Sequence, residues 1–318
     1  MNRIIILLSL LLATSFLIYK QTAHKKEMPT IAIANYGPHS SLEEIIIGIK
    51  KELASNDFIE NETIHYDIAD VAFDPSLIMQ MLSKLNSARP NLIVAITTPV
   101  AQLAKTTIKN TPVIYTGVTD PAEAGLISDN ITGCSEQIDL SLMINFAKKL
   151  LPQVKTIGVL YSTSEANDTG MLRNLKQAAE LQNIEVIAVG IDHPRDISTR
   201  INIFKDKVDF IYIGMSGPIQ PALPIIANCA LKMNIPLINA DIQGAKDNLV
   251  LASFGVNYID IGINTGKMIL KILKGTNVKD IAPIHPQASQ YKSYISAQNA
   301  KLLGITIPED LIKKEAGN

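Results

Sequence analysis

The chain has 318 residues, 47% hydrophobic and 19% charged, enough apolar material for one large domain or two medium lobes. With 29 basic and 30 acidic residues the net charge is −1, so the strongly basic surface of a nucleic-acid binder is not expected, and 5% aromatics without Trp do not furnish stacking platforms for bases. Two cysteines, Cys134 and Cys229, are no disulfide framework; Cys134 follows a Thr-Gly turn signal, Cys229 sits in an apolar helix pattern, and both read as separate small buried side chains without metal-site neighbours.

Residues 1–27 stand apart as a signal peptide or N-terminal membrane anchor. A basic start, MNR, precedes the uncharged run Ile4–Tyr19, and KQTAHKKE follows. That reads as a secretory signal near the lower limit for a membrane span. Ala23 could sit at a cleavage site, but Gln21 two positions earlier is not small, so cleavage and retention both stay open. No Cys follows the apolar run, which excludes a lipoprotein anchor. Either way, the rest of the chain is expected to work in the periplasm or another extracytoplasmic space.

The remaining pattern alternates. TIAIANY (30–36) is strand-like; SLEEIIIGIKKELASN (41–56) is an amphipathic helix whose Ser41 and Glu44 have capping-box spacing. The strand ETIHYDIA, the helix PSLIMQMLSKLNSA, the strand NLIVAI, a helix from about Pro99 to Lys109 and the strand PVIYT follow. The rhythm then restarts with the helix LSLMINFAKKLLP, the strand KTIGVLY, the helix NDTGMLRNLKQAAELQN, the strand EVIAVGI, the helix ISTRINIFKD and the strand DFIYIG. PALPIIANCALKMN is a helix, IPLINA and NLVLASF are strands, and YIDIGINTGKMILKILKG is a last long helix ending in Lys-Gly. Two strand–helix series of similar size predict two α/β lobes, each with a parallel sheet covered by helices and right-handed crossovers.

Ligands of such sheets bind outside the carboxyl ends of the strands. Thr97 and Thr98 end the strand NLIVAI and open a helix, where backbone N–H groups and hydroxyls could hold a carboxylate or merely cap the helix. Asp120, ending PVIYTGVTD, could hold an ammonium or make a turn with Pro121. Tyr36 and His39 in the first series, and Ser164, Glu165, Asn167 and Asp241 in the second, end strands in the same way. For each acid a turn or cap stays an equal alternative, and for His39 a cap or surface position.

The run ITTPVAQLAKTTIKNTPVIYTGVTDPAEAGLISDNITGCSE resembles the tryptophan/tyrosine-type substrate-binding proteins of ABC transporters. So do LLPQVKTIGVLYSTSEANDTGMLRNLKQAAE, NIPLINADIQGAKDNLVLASFGVNYIDIGINTGKMILKILKG and NYGPHSSLEEIIIGIKKEL, covering essentially the whole chain after the leader. The resemblance implies an α/β, type I periplasmic-binding-protein-like fold, two doubly wound parallel-sheet lobes joined by three crossovers and closing by a hinge. The crossovers are expected near NITGCS, near ASFG and just after the strand IAPIHPQ. This assigns 28–134 plus 254–287 to one lobe and 135–253 plus 288–318 to the other. Two loops depart from the family's pattern: IADVAFDP lacks its Asn and Gly-Asp, and MSGP after DFIYIG lacks its Asp, leaving the ligand's identity open.

No catalytic constellation is recognisable. His24, His39, His65, His193 and His285 are scattered, no G-x-S-x-G or G-x-G-x-x-G occurs, and GINTGK (262–267) falls short of a phosphate loop inside a helix pattern. The expectation is a monomeric solute-binding protein, not an enzyme, with no cofactor or metal and no nucleic-acid partner. It would take a small-molecule ligand, an amino acid and in the narrower form an aromatic one, and deliver it to an ABC permease and its ATPase. In that role an α-amino acid would place its carboxylate at Thr97 and Thr98 and its ammonium at Asp120, Glu165 or Asp241. A membrane-anchored ligand-sensing domain of the same fold is the alternative.

Overall fold

The computed structural model describes residues 28–311, so the expected leader at 1–27 lies outside the described residues. The first sheet holds β1 (Thr30–Asn35), β2 (His65–Asp70), β3 (Leu92–Ile96), β4 (Val113–Val118) and β5 (Ile131–Ser135), in the order β2-β1-β3-β4-β5 with every pair parallel. The helices α1 (Ser40–Ala54), α2 (Ile78–Ser87) and α3 (Thr98–Thr107) connect the first four strands. Strands β1, β3 and β4 are apolar and buried along nearly their whole length, the signature of a sheet covered on both faces.

The second sheet holds β6 (Thr156–Ser162), β7 (Glu185–Ile191), β8 (Phe210–Ile213), β9 (Leu237–Asn239), β10 (Ala252–Val256) and β11 (Tyr291–Ile295). Its order is β11-β10-β9-β8-β6-β7; only the β10–β11 pair is antiparallel. Around it lie α4 (Leu140–Leu150), α5 (Ala166–Glu180), α6 (Ile197–Arg200), α7 (Leu223–Lys232) and α8 (Ile242–Lys246). The two remaining helices are α9 (Tyr258–Leu273) and α10 (Ala297–Leu302). Apart from β11, both sheets repeat one doubly wound order. Each reverses direction between its first and third strands, at β1/β3 and at β6/β8. Those reversals are where such sheets open a crevice.

Several local expectations change. The Thr-Gly pair before Cys134 lies in a strand, not a turn: Gly133 is buried in β5, and a side chain there would meet the Tyr115 carbonyl 2.0 Å away on β4. Its glycine serves close packing. IAPIHPQ contributes one bridge, Ile284 to Cys134, rather than a strand. β10 runs to Val256, so the chain leaves the second sheet after Val256 and the boundary expected at 254 falls inside that strand. Helix α9 then packs on α1, where Gly48 and Gly262 face each other so closely that a Cβ on either would strike backbone. GINTGK lies in this helix, with the Thr265 hydroxyl 2.8 Å from that of Thr116. Cys134 is buried and Cys229 half-buried, and both are free thiols.

Candidate functional site

The loops at the two sheet reversals face one another across a cavity with about 480 Å3 of space free of protein atoms, part of it open to solvent. After β1 come Tyr36 and His39; after β3, Thr97, Thr98 and Pro99; after β6, Glu165 and Asn167; after β8, Met215, Ser216 and Gly217. Six of the nine predicted residues therefore line one cavity: Tyr36, His39, Thr97, Thr98, Glu165 and Asn167.

Thr97 is held in an unusual backbone state, φ 82° and ψ 161°, sterically costly for a β-branched residue. The backbone is fixed from both sides: its N–H donates to the Thr116 carbonyl (2.9 Å) and its own carbonyl accepts from the Ala101 N–H (3.0 Å). Its side chain does not cap α3, and its Oγ1 is buried without a partner. The first turn of α3 leaves the N–H groups of Thr98 and Val100 without intrahelical acceptors, and Pro99 has no N–H to offer. This corner of the cavity is a set of donors at the positive end of a helix.

The second lobe supplies the opposite chemistry. Glu165 stands at the N-cap position of α5 yet makes no cap bond. Instead its Oε2 accepts from the Gly217 N–H (3.0 Å) and its Oε1 from the Tyr36 hydroxyl (3.2 Å), a contact that spans the cleft. Burial raises the Glu165 pKa, and the bonds from Gly217, Tyr36 and Asn167 partly oppose the rise. The same contact helps lift the Tyr36 hydroxyl well above its usual range, after burial. The Asn167 amide orientation is set by acceptors: Nδ2 lies 2.8 Å from the Met215 carbonyl, 3.3 Å from Asp168 and 3.5 Å from Glu165. Its Oδ1 is then the end left buried without a partner. Behind it, Asp168 is pushed up to about 8 by burial and by the Glu165 charge. The Ser216 hydroxyl faces Asp168 close enough to lower it somewhat, without completing an aligned bond.

Three predicted residues sit elsewhere. Asp241 caps α8 through the Gln243 N–H (2.9 Å) and reaches across the cleft to accept from the Ser41 hydroxyl at 2.5 Å. This engages Ser41, and the cap of α1 passes to His39, whose Nδ1 accepts from the Ser41 N–H; the Ser41–Glu44 capping box does not form. Ser164 pairs with the Ser162 hydroxyl (3.0 Å) and faces the groove outside the cavity. Asp120 is a turn residue: its Oδ1 accepts from the Glu123 N–H (3.0 Å), and it does not line the cavity.

Sequence reasoning missed Glu136. It lies in the first crossover, lines the cavity, and is pushed up to about 7 by burial despite hydrogen bonds from Thr119 (3.0 Å) and Tyr258. It also missed Phe73, which stacks edge-on against Tyr36 with ring centroids 5.5 Å apart. The two loops that depart from the family's pattern supply Phe73 and Met215–Gly217, so both departures fall on the cavity wall. Among the described residues, no Lys or Arg lines the cavity. Among the described residues, no group of three or more His, Cys, Asp or Glu side chains is placed to hold a metal ion, and no helix is long and apolar enough to cross a membrane.

Two lobes whose reversal points enclose a cleft with a few polar groups on each side invite comparison with known binding proteins, and a profile of the family "ABC transporter substrate binding protein" matches residues 30–318. The chain belongs to that family. It is 31% identical over 268 residues to a tyrosine-binding protein of Clostridioides difficile, covering 82% of this chain and 77% of that one. Among solved structures it is similar to an ABC domain in complex with L-Trp from Streptococcus pneumonia (TM-score 0.85, 30% identity, 90% of this chain and 97% of that one). It is also similar to the ligand-free, open structure of a substrate binding protein with adhesive properties from Clostridium difficile (TM-score 0.70, 30% identity, 89% and 97%).

Proposed function

We propose that this substrate-binding protein captures an α-amino acid outside the cytoplasm and presents it to an ABC permease and its ATPase, carrying out no chemistry itself. The observation that carries the reading is the split lining of the cleft. Donors at Thr97, Thr98 and the start of α3 suit a carboxylate. Opposite them, Glu165 and the unpartnered Oδ1 of Asn167 suit an ammonium, with no Lys or Arg among the described residues of the lining to compete for either. A buried carboxylate without a cation is costly, and a zwitterion supplies the missing charge on one side and takes up the donors on the other.

The narrower reading is an aromatic amino acid. The tyrosine-binding relative and the L-Trp complex support it, as does the Phe73 and Tyr36 wall. At the same 30% identity, the likeness is greater to the L-Trp complex than to the open, ligand-free structure, as a closed arrangement of the lobes would produce. Contacts across the cleft, Tyr36 to Glu165 and Ser41 to Asp241, support the same view. Binding would close the lobes by favouring that state, and the closed form is what the permease would read.

A thermal-shift screen over amino acids, sugars and nucleosides tests this, since a ligand of the folded form raises the melting temperature by mass action. L-tyrosine or L-tryptophan is expected to give the largest rise. A shift by a sugar or nucleoside, with none from any amino acid, overturns the amino-acid reading.

A further inference from the structure

Helix α1, which opens beside the cavity, carries two competing caps. The sequence offers one: Ser41 and Glu44 have capping-box spacing, in which the Ser hydroxyl accepts from the Glu44 N–H and the Glu44 side chain accepts from the Ser41 N–H. The structure uses the other. The helix starts at Ser40 with His39 as its N-cap, φ −140° and ψ 140°, and the His39 Nδ1 accepts from the Ser41 N–H at 3.4 Å, long for such a bond. The Ser41 hydroxyl turns away from its own helix and donates to Asp241 Oδ2 at 2.5 Å, a bond between the lobes in which both residues are buried. The other oxygen of Asp241 caps α8, accepting from the Gln243 N–H at 2.9 Å, and Oδ2 stands 3.9 Å from His39 Nδ1. Glu44 is left half-buried, its pKa raised by burial and by the Asp241 charge, with Lys246 opposing. One carboxylate of the second lobe thus holds the hydroxyl that would cap a helix of the first.

Resting on the lobe closure of the proposed function and not on the ligand's identity, we infer that the start of α1 is a cap switch thrown by closure. With the lobes together, Asp241 takes the Ser41 hydroxyl and the helix begins at Ser40 under His39. With the lobes apart, Ser41 becomes the N-cap, Glu44 reciprocates, and the helix begins at Leu42. Parting the lobes takes Asp241 away, and the freed hydroxyl finds the orphan N–H groups of its own helix. Ser41 then leaves the helical conformation, because an N-cap residue is extended. Its neighbour His39 lines the cavity, so the switch also moves part of the cavity wall. The capping box stabilises the open state and therefore lowers the affinity for every ligand by the same factor.

Two measurements test the switch. Carbon chemical shifts of Ser40 and Ser41 by NMR distinguish helical from extended backbone and need no ligand. Asp241→Ser keeps a good cap for α8 but has too short a side chain to hold Ser41 across the cleft. Ser41 is expected to be extended in this variant, and a helical Ser41 overturns the switch. The second measurement is affinity for L-tyrosine by calorimetry. Glu44→Ala removes the open-state cap and should tighten binding about threefold, whereas Glu44→Gln keeps the capping box and should stay near wild type. In a Ser41→Ala background, Glu44→Ala should bring no gain. An equal gain from Gln and Ala would come from relief of repulsion with Asp241 and overturns the switch, as does no gain from Ala. If the protein does not bind L-tyrosine, the amino-acid reading fails separately, and the NMR result still decides the switch.

Discussion

The two lobes have the same strand order but opposite chemistry at their reversal points. The first lobe meets the cleft with hydroxyls, a helix N-terminus and two aromatic rings, and the crossover that leaves it adds Glu136, held by the Thr119 hydroxyl. The second meets it with Glu165 and Asn167, backed by Asp168 and Asp241. Either half alone is poorly satisfied: donors without an acceptor on one side, buried acids without a cation on the other. That mismatch is relieved by a ligand with both charges, or partly by the halves meeting directly, as Tyr36 and Glu165 do. The lesson is that one architecture, duplicated, becomes a recognition site by diverging at four loops.

Removing the acid should break the comparison most. Glu165→Ala takes away the partner of Tyr36, of the Gly217 N–H and of the proposed ammonium. Affinity for L-tyrosine by calorimetry is expected to fall by about 2–3 kcal/mol, the scale for stranding a charged partner. Loss of no more than a few tenths would return Glu165 to a structural role.

Next comes Thr97→Gly, which separates strain from function on the donor side. Glycine accepts φ 82° without a steric penalty, so the melting temperature should rise, corresponding to about 1 kcal/mol. Affinity should drop by about 1 kcal/mol as the hydroxyl is lost. Stability and affinity moving in the same direction would argue against a ligand-facing hydroxyl. Asp120→Asn serves as the control and should leave affinity alone, since its carboxylate accepts from the Glu123 N–H and from the Gln137 side chain, all three residues lying outside the cavity lining.

The pH dependence sharpens the acid side. Glu136 and Asp168 have raised pKa values, about 7 and about 8, so the folded protein holds protons that the unfolded chain would release. Their stabilising contribution is complete below the unfolded carboxylate pKa of about 4 and is lost as pH rises through the folded values. Without ligand, the melting temperature should therefore decline between about pH 5 and pH 8. Glu136→Gln, which imitates the protonated acid, should flatten the decline near neutrality. An unchanged profile would show that Glu136 is already ionised.

The smallest effect belongs to the rim. Arg173 of the second lobe pairs with Glu123 of the first at 2.7 Å, and both are exposed. Arg173→Ala should weaken ligand binding slightly at low salt and not at all at high salt, because exposed pairs are screened. A salt-independent loss would mark the pair as part of the closure itself.

Much of this was legible in the chain. Alternating apolar strands and amphipathic helices announced two α/β series, and the polar clusters at their strand ends named six of the residues that meet in the cavity. Asp120 could not be told from a site residue, because a turn carboxylate and an ammonium-binding one occupy the same place in the pattern. Gly133 misled for a related reason. A Thr-Gly pair suggests a turn, yet here the glycine answers to a carbonyl on the neighbouring strand, a contact between residues 18 positions apart in sequence. β11 went unnoticed because YKSYI is only half-buried at a sheet edge and carries no clean alternation.

By itself, the sequence determined the elements and the doubly wound class, since periodicity, caps and short connections act between near neighbours. Only the tertiary structure decided which polar ends were partners. Glu136, Met215 and Tyr258 come from three distant segments and acquire meaning where the crossovers bring them beside the cavity. Unpaired atoms such as Thr97 Oγ1 and Asn167 Oδ1 are likewise invisible until packing has removed water from around them. Desolvation is a property of the assembled fold, and it turns ordinary hydroxyls and carboxylates into a site.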